Sequence, residues 1–192
     1  MKNTKYKIYP FIKGELVDLI VLTKEIVEKT NWFNWFNDQS ITENMQQHYY
    51  PNNIYLQKKF LIESTKGRND RIQLGVFHKK DKILIGVVSL NSINRFNRNC
   101  EISGVIGEKK YQTLLNFVEA FKNLIKHGFD TLDMNRIYSC SISKDVENLM
   151  CRYLKFEREG VLKEHVYKKG GFQDAYLHSI LKKKYLIHKI YN

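Results

Sequence analysis

Proline is nearly absent from the 192 residues: only Pro10 and Pro51 occur, and no stretch is rich in glycine, serine and proline. The chain therefore offers no linker and no boundary, and its length suits one domain over 1–192. Cysteine is scarce as well. Cys100, Cys140 and Cys151 are odd in number and show no C-x-x-C spacing, which argues against a disulfide framework and a zinc site, and no metal is expected. No apolar run approaches the ~18 residues of a membrane-spanning helix. The basic start, residues 1–11, has no apolar segment behind it, so a secretory leader is not expected. A reducing cytoplasm and no membrane partner are the expectations.

What the chain does have is enough apolar surface to fold, with 43% hydrophobic and 13% aromatic residues, which excludes disorder as the default. Its net charge of +12 favours anionic ligands such as nucleotides and nucleotide-linked metabolites. The lysines are scattered, apart from a cluster at 182–184, so the charge equally describes a solvated surface. With no nucleic-acid motif and no basic stripe, nucleic acid is not the favoured partner.

The hydrophobic pattern predicts an α+β order of elements. A strand over 16–21 leads into a short helix capped by Thr23. An aromatic, amide-rich stretch follows over 31–53, read as a binding wall; Trp32 and Trp35 also suit packing as one helical face. A helix over 54–64 precedes a hairpin, 71–79 and 82–93, with a charged turn between. A third strand, 100–107, carries Gly104, and an internal strand glycine marks a bulge or a close approach. Apolar residues at Leu114, Phe117, Val118, Phe121, Leu124, Ile125, Phe129 and Leu132 then predict one long helix capped by Thr113. A strand at 136–142, a helix at 146–153 and a hairpin over 160–181 with a Lys169-Gly170-Gly171 turn complete the pattern.

Several strings within this order resemble the GNAT superfamily of acyltransferases, in the branch of ribosomal-protein and amino-sugar acetyltransferases. They are WFND at 35–38 with Met45, IGVVSLNSIN at 85–94, EISGVIG at 101–107, GFDTLDMNRIYSCS at 128–141, and the run from Phe156 to Leu181. The resemblance covers about 16–185. It implies a mixed central sheet in which a bulged strand splays from its neighbour, with flanking helices, and acetyl-CoA as co-substrate. It implies that Val105, Ile106 and Gly107 hold the pantetheine arm, and that Lys110, Tyr111, Gln112, Thr113, Leu114, Leu115 and Asn116 face the pyrophosphate at a helix N-terminus. The chain departs from the family pattern in two places. The glycine positions of the phosphate loop fall on Thr113 and Leu115, where Thr113 and Lys109 or Lys110 would have to compensate. The position of the usual catalytic tyrosine is Cys151, leaving Tyr153 as a substitute acid.

Amine acylation needs an unprotonated amine and a polarised thioester carbonyl. Glu101, at the start of the splayed strand, is the candidate base; it also reads as a strand carboxylate paired with a basic side chain. His48 is the second candidate, with His165 and His178 ranked lower. Asp174 reads as structural or substrate-contacting. The Val105 backbone is the candidate oxyanion donor. Trp35, Asn37, Tyr49, Tyr50 and Asn91 are the candidate acceptor contacts, since aromatic faces with amides suit sugars and nucleobases. The expected function is N-acetylation of a small primary amine, an amino sugar carried on a nucleotide. The alternatives are a protein N-terminus, or a non-catalytic module binding nucleic acid or another anion. A polyamine is disfavoured by the positive charge. The tail after 182 is a candidate contact for a homodimer.

Overall fold

The computed structural model describes residues 6–45, 50–67 and 69–188. Eight strands form one sheet in the order β1-β2-β3-β4-β5-β6-β8-β7. The strands are β1 (Pro10–Ile12), β2 (Val17–Val21), β3 (Ile72–His78), β4 (Ile83–Asn94), β5 (Asn99–Ile106), β6 (Arg136–Ser141), β7 (Glu157–Lys168) and β8 (Gly171–Leu181). All neighbours run antiparallel except β5 and β6. The helices are α1 (Lys24–Lys29), α2 (Trp32–Trp35), α3 (Gln39–Thr42), α4 (Ile54–Thr65), α5 (Leu114–Asp130), α6 (Lys144–Leu154) and α7 (Lys182–Ile187). Among the described residues no helix is long and apolar enough to cross a membrane.

Two cores sandwich the sheet, because alternate strand residues point to opposite faces. On one face α5 buries Ala120, Phe121, Leu124, Ile125 and Phe129 against Val88, Leu90, Ile102 and Ile137. On the other, α1 to α4 cover Ile20, Phe77, Leu84 and Val87 with Ile26, Trp32, Trp35, Ile41 and Leu61. The long helix begins where its spacing predicts, and the Thr113 hydroxyl accepts from the Asn116 N–H at 3.3 Å. Thr23 caps α1 in the same way.

Two expectations change. The stretch at 31–45 is not an open wall but two single-turn helices, and of the two readings of Trp32 and Trp35 it is packing as one helical face that holds, both being buried in the second core. Nor does Gly104 mark a bulge: β5 pairs regularly with β4 through that position. The extra residue lies on β4 instead, where Ser92 and Ile93 together oppose Cys100 and Ser92 takes a left-handed φ of 50°. Gly104 is required by close approach. A β-carbon there would come within 3.0 Å of Phe121 Cζ and 2.8 Å of Val88 Cγ1.

The splay is present. β5 and β6 pair only at Asn99↔Arg136, Cys100↔Ile137 and Glu101↔Tyr138. Beyond Glu101, β5 continues along β4 while β6 continues along β8, so a gap opens between them.

Candidate active site

The gap exposes backbone groups of β5. The Gly107 N–H donates to Ile85 O on β4 at 2.8 Å. The peptide is planar and trans, so the Ile106 carbonyl must point the opposite way, into the gap. Alternation then turns both backbone groups of Val105 toward β4 and those of Ile102 and Gly104, with the Ile106 N–H, toward the gap. The expected oxyanion role of Val105 therefore fails on geometry and passes to the N–H of Gly104 or Ile106. Gly107 is likewise turned away: both its N–H and that of Glu108 bond Ile85 O, and the Trp35 ring covers its α-carbon.

At the upper end of the gap, residues 109–111 make one 3-10 turn before α5. The Thr113 N–H bonds Tyr111 O, while among the described residues the N–H groups of Leu114 and Leu115 have no acceptor. They are the first free donors of the helix, at its positive end. Lys109 is committed to Asp38 at 2.7 Å, whereas Lys110 lies over the Tyr111 ring. Tyr111 itself donates to Asp81 at 2.7 Å, which raises its pKa. The side chain of Leu115 projects into solvent, 67% exposed.

At the lower end stands Glu101, register partner of Asn91 on β4 and of Tyr138 on β6. Among the described residues its carboxylate has no hydrogen bond or ion pair. Desolvation by burial raises its pKa. Beside it Asn91 Nδ2 donates to Ser103 Oγ at 2.9 Å, and Ser103 and Ser89 share a hydroxyl hydrogen bond at 2.9 Å. These residues form a polar floor on the sheet face opposite α5. Tyr138 adjoins it, its pKa raised first by desolvation and then by the Glu101 charge.

The remaining sequence candidates are dispersed. Asn37 uses both ends of its amide on the backbone of Asn52, bracing the chain rather than facing the floor. Tyr50 is 85% exposed. His48 and Tyr49 lie outside the described residues. Tyr153 stands on α6 partly open to solvent, whereas that helix buries Glu147, Met150 and Leu154. Cys151 is kept a thiol by burial and secondarily by the Glu147 carboxylate. His178 is fully buried, T-stacked on Phe156, and burial lowers its pKa. Asp174 is engaged within its own hairpin. It accepts from the Glu164 N–H at 3.0 Å and from Lys163 at 2.8 Å, holding an irregularity of β7.

Sequence reasoning missed Ser89, Ser103 and Tyr138, although the alternation of polar and apolar residues along 88–91 and 100–103 carries the first two. It also missed a bridge over the same face. Lys168, at the end of β7, donates to Thr42 O at 2.5 Å and to Met45 O beyond α3, and Lys169 pairs with Glu43 at 3.0 Å.

A sheet parted beside a helix N-terminus, with a lone carboxylate at the foot of the gap, defines an acyl-transfer architecture. The model for the acetyltransferase (GNAT) domain matches residues 20–149, and the chain belongs to this family of acetyl-CoA-dependent N-acyltransferases. It is 30% identical over 124 residues to p20 of Bacillus licheniformis, described as an uncharacterized N-acetyltransferase, covering 64% of this chain and 67% of p20. Across the curated relatives the match spans 61–67% of their length.

Among solved structures, the spermidine N-acetyltransferase of Vibrio cholerae in complex with CoA and spermine has a TM-score of 0.76 at 24% identity, covering 90% of this chain and 99% of that one. The microcin C7 self-immunity acetyltransferase MccE, in complex with acetyl-CoA and AMP, has a TM-score of 0.74 at 21% identity, covering 88% and 93%. The residues present fit the co-substrate: gap-facing peptide groups suit an amide-bearing arm, and the free N–H groups of Leu114 and Leu115 suit an anion.

Proposed function

We propose that the chain transfers the acetyl group to the primary amine of a small hydroxylated acceptor, an amino sugar carried on a nucleotide. The observation that carries this reading is Glu101. In a protein of net charge +12, a half-buried carboxylate without a cation among the described residues is a place for an amine. Its raised pKa keeps it a better proton acceptor than an ordinary carboxylate.

Bound acetyl-CoA supplies the activated acyl group as a thioester. The amine nitrogen would bond the acyl carbon as the thioester C–S bond breaks; Glu101 takes the proton that the amine loses, and the CoA sulfur leaves as a thiolate that gains a proton from solvent. The N–H of Gly104 or Ile106 is the donor able to stabilise charge on the carbonyl oxygen. Asn91 and Ser103, the latter backed by buried Ser89, offer a carboxamide and a hydroxyl to the hydroxyl groups of the sugar. A polyamine would leave these groups unmatched and meet the positive surface.

The test is release of free thiol from acetyl-CoA with a panel of nucleotide-linked amino sugars. Release with at least one of them is expected, with a loss of about 100-fold or more in Glu101→Gln. No release with any member would sink the reading.

A further inference from the structure

We propose that Gln112 and Asn116 are positioning residues that replace the missing phosphate-loop glycines, holding the start of α5 in the place where its free N–H groups meet the co-substrate's pyrophosphate. The proposal rests on the family's use of acetyl-CoA and concerns how this loop, without glycines, serves it.

Glycine in such a loop supplies two things: backbone freedom for a tight turn, and room for a phosphate to approach. Thr113 and Leu115 supply neither. The loop nevertheless turns sharply within six residues of the end of β5, and side-chain carboxamides hold that turn at both ends. Gln112 Nε2 donates to the Ile106 carbonyl at 2.9 Å. Asn116 Nδ2 donates to the Tyr111 carbonyl at 3.0 Å. The first bond ties the loop to the rim of the gap, and the second ties the 3-10 turn to the first turn of the helix. Asn116 is also the residue whose N–H binds the Thr113 hydroxyl, so cap and clasp share one residue.

One N–H of the Gln112 amide is held by the Ile106 carbonyl, and through that bond Gln112 acts on the position of Leu114 and Leu115. Gap-facing groups of Ile102 and Gly104 remain for the arm. Loss of the Gln112 bond should therefore weaken recognition of the pyrophosphate and leave recognition of the arm intact.

The experiment is calorimetric titration of the full chain, as wild type, Gln112→Ala and Gln112→Glu, with CoA and separately with pantetheine, which has the arm but no pyrophosphate. Gln112 is exposed, so both variants should fold. Glutamate keeps the length and removes the N–H donor. CoA affinity is expected to fall by about fivefold or more in both variants, the worth of one lost hydrogen bond. Pantetheine affinity should not change, and amide hydrogens at 113–116 should exchange faster. Unchanged or tighter CoA binding would overturn the proposal, tighter binding meaning that Gln112 competes with the arm for Ile106. An equal loss for pantetheine would also overturn it. Wild type that binds pantetheine but not CoA would contradict the pyrophosphate role itself, and wild type that binds neither would contradict the co-substrate assignment as well.

Discussion

The indole of Trp35 lies on the α-carbon of Gly107, so close that a β-carbon there would stand 2.0 Å from Cδ2. The same ring donates from Nε1 to Glu108 at 3.0 Å. The second core thus grips the chain at the point where it leaves the gap for the phosphate loop. Gly107→Ala must displace either the ring or the backbone. It is expected to cost about 1–3 kcal/mol, as overpacking does, read as a lower urea midpoint. An unchanged midpoint would show that the ring is not held there.

Glu101 couples activity and stability with opposite signs. Burial raises its pKa, so the folded protein binds that proton more tightly than the unfolded chain. The resulting penalty is absent at low pH and grows as pH rises from the ordinary carboxylate range, ~4.3, through the raised value. Activity should show an acid limb above the ordinary carboxylate range, and Glu101→Gln should abolish that limb. At neutral pH the same variant should be as stable as wild type or more so. A clear loss of stability in Glu101→Gln would argue that the carboxylate is a structural group.

His178 predicts a pH dependence of stability unrelated to catalysis. Its ring faces Phe156, the Tyr176 carbonyl, the Glu147–Arg158 pair and Glu159, and burial outweighs the rest in lowering its pKa. Unfolding lets it regain a proton. Stability is therefore full above the ordinary imidazole value of ~6.5 and falls as pH drops through it toward the depressed value. Urea midpoints at pH 7.5 and 5.5 should differ less in His178→Phe than in wild type, the residual slope combining His127, also depressed by burial, with the opposite contribution of Glu101. Equal slopes would contradict the assignment.

Lys168 closes a contact across more than 120 residues of sequence, from the β7–β8 hairpin to the carbonyls at the end of α3. Cations favour helix C-termini, and here desolvation lowers the pKa of the ammonium. Lys168→Met should speed hydrogen exchange over 39–45 while leaving β4 and β5 unchanged. Uniform exchange across both regions would show that the bridge is not a local support.

Much of this was readable in the residues. The spacing from Leu114 to Phe129 fixes α5, Thr113 its start, and Lys169-Gly170 the last turn, because each is set by neighbours in sequence. The helix α3 escaped because a single turn shows no period, whereas the three-residue spacing of Trp32 and Trp35 already suited one packed helical face, and both are buried on α2. Gly104 was ambiguous in principle: a strand glycine reports a bulge or a close approach, and only Phe121 decides between them. The bulge at Ser92 carries no glycine to mark it. Glu101 and Asn91 were legible from alternation. Tyr138 needs the β5–β6 register, and Lys168 needs the whole fold.

The central claim is that the gap and the start of α5 hold acetyl-CoA although the loop carries Thr113 and Leu115 in place of glycines. Calorimetric titration of the full chain with acetyl-CoA tests it most directly. The account predicts saturable binding at one site per chain, weakened by salt through the pyrophosphate contact. No heat of binding at any accessible concentration would contradict it.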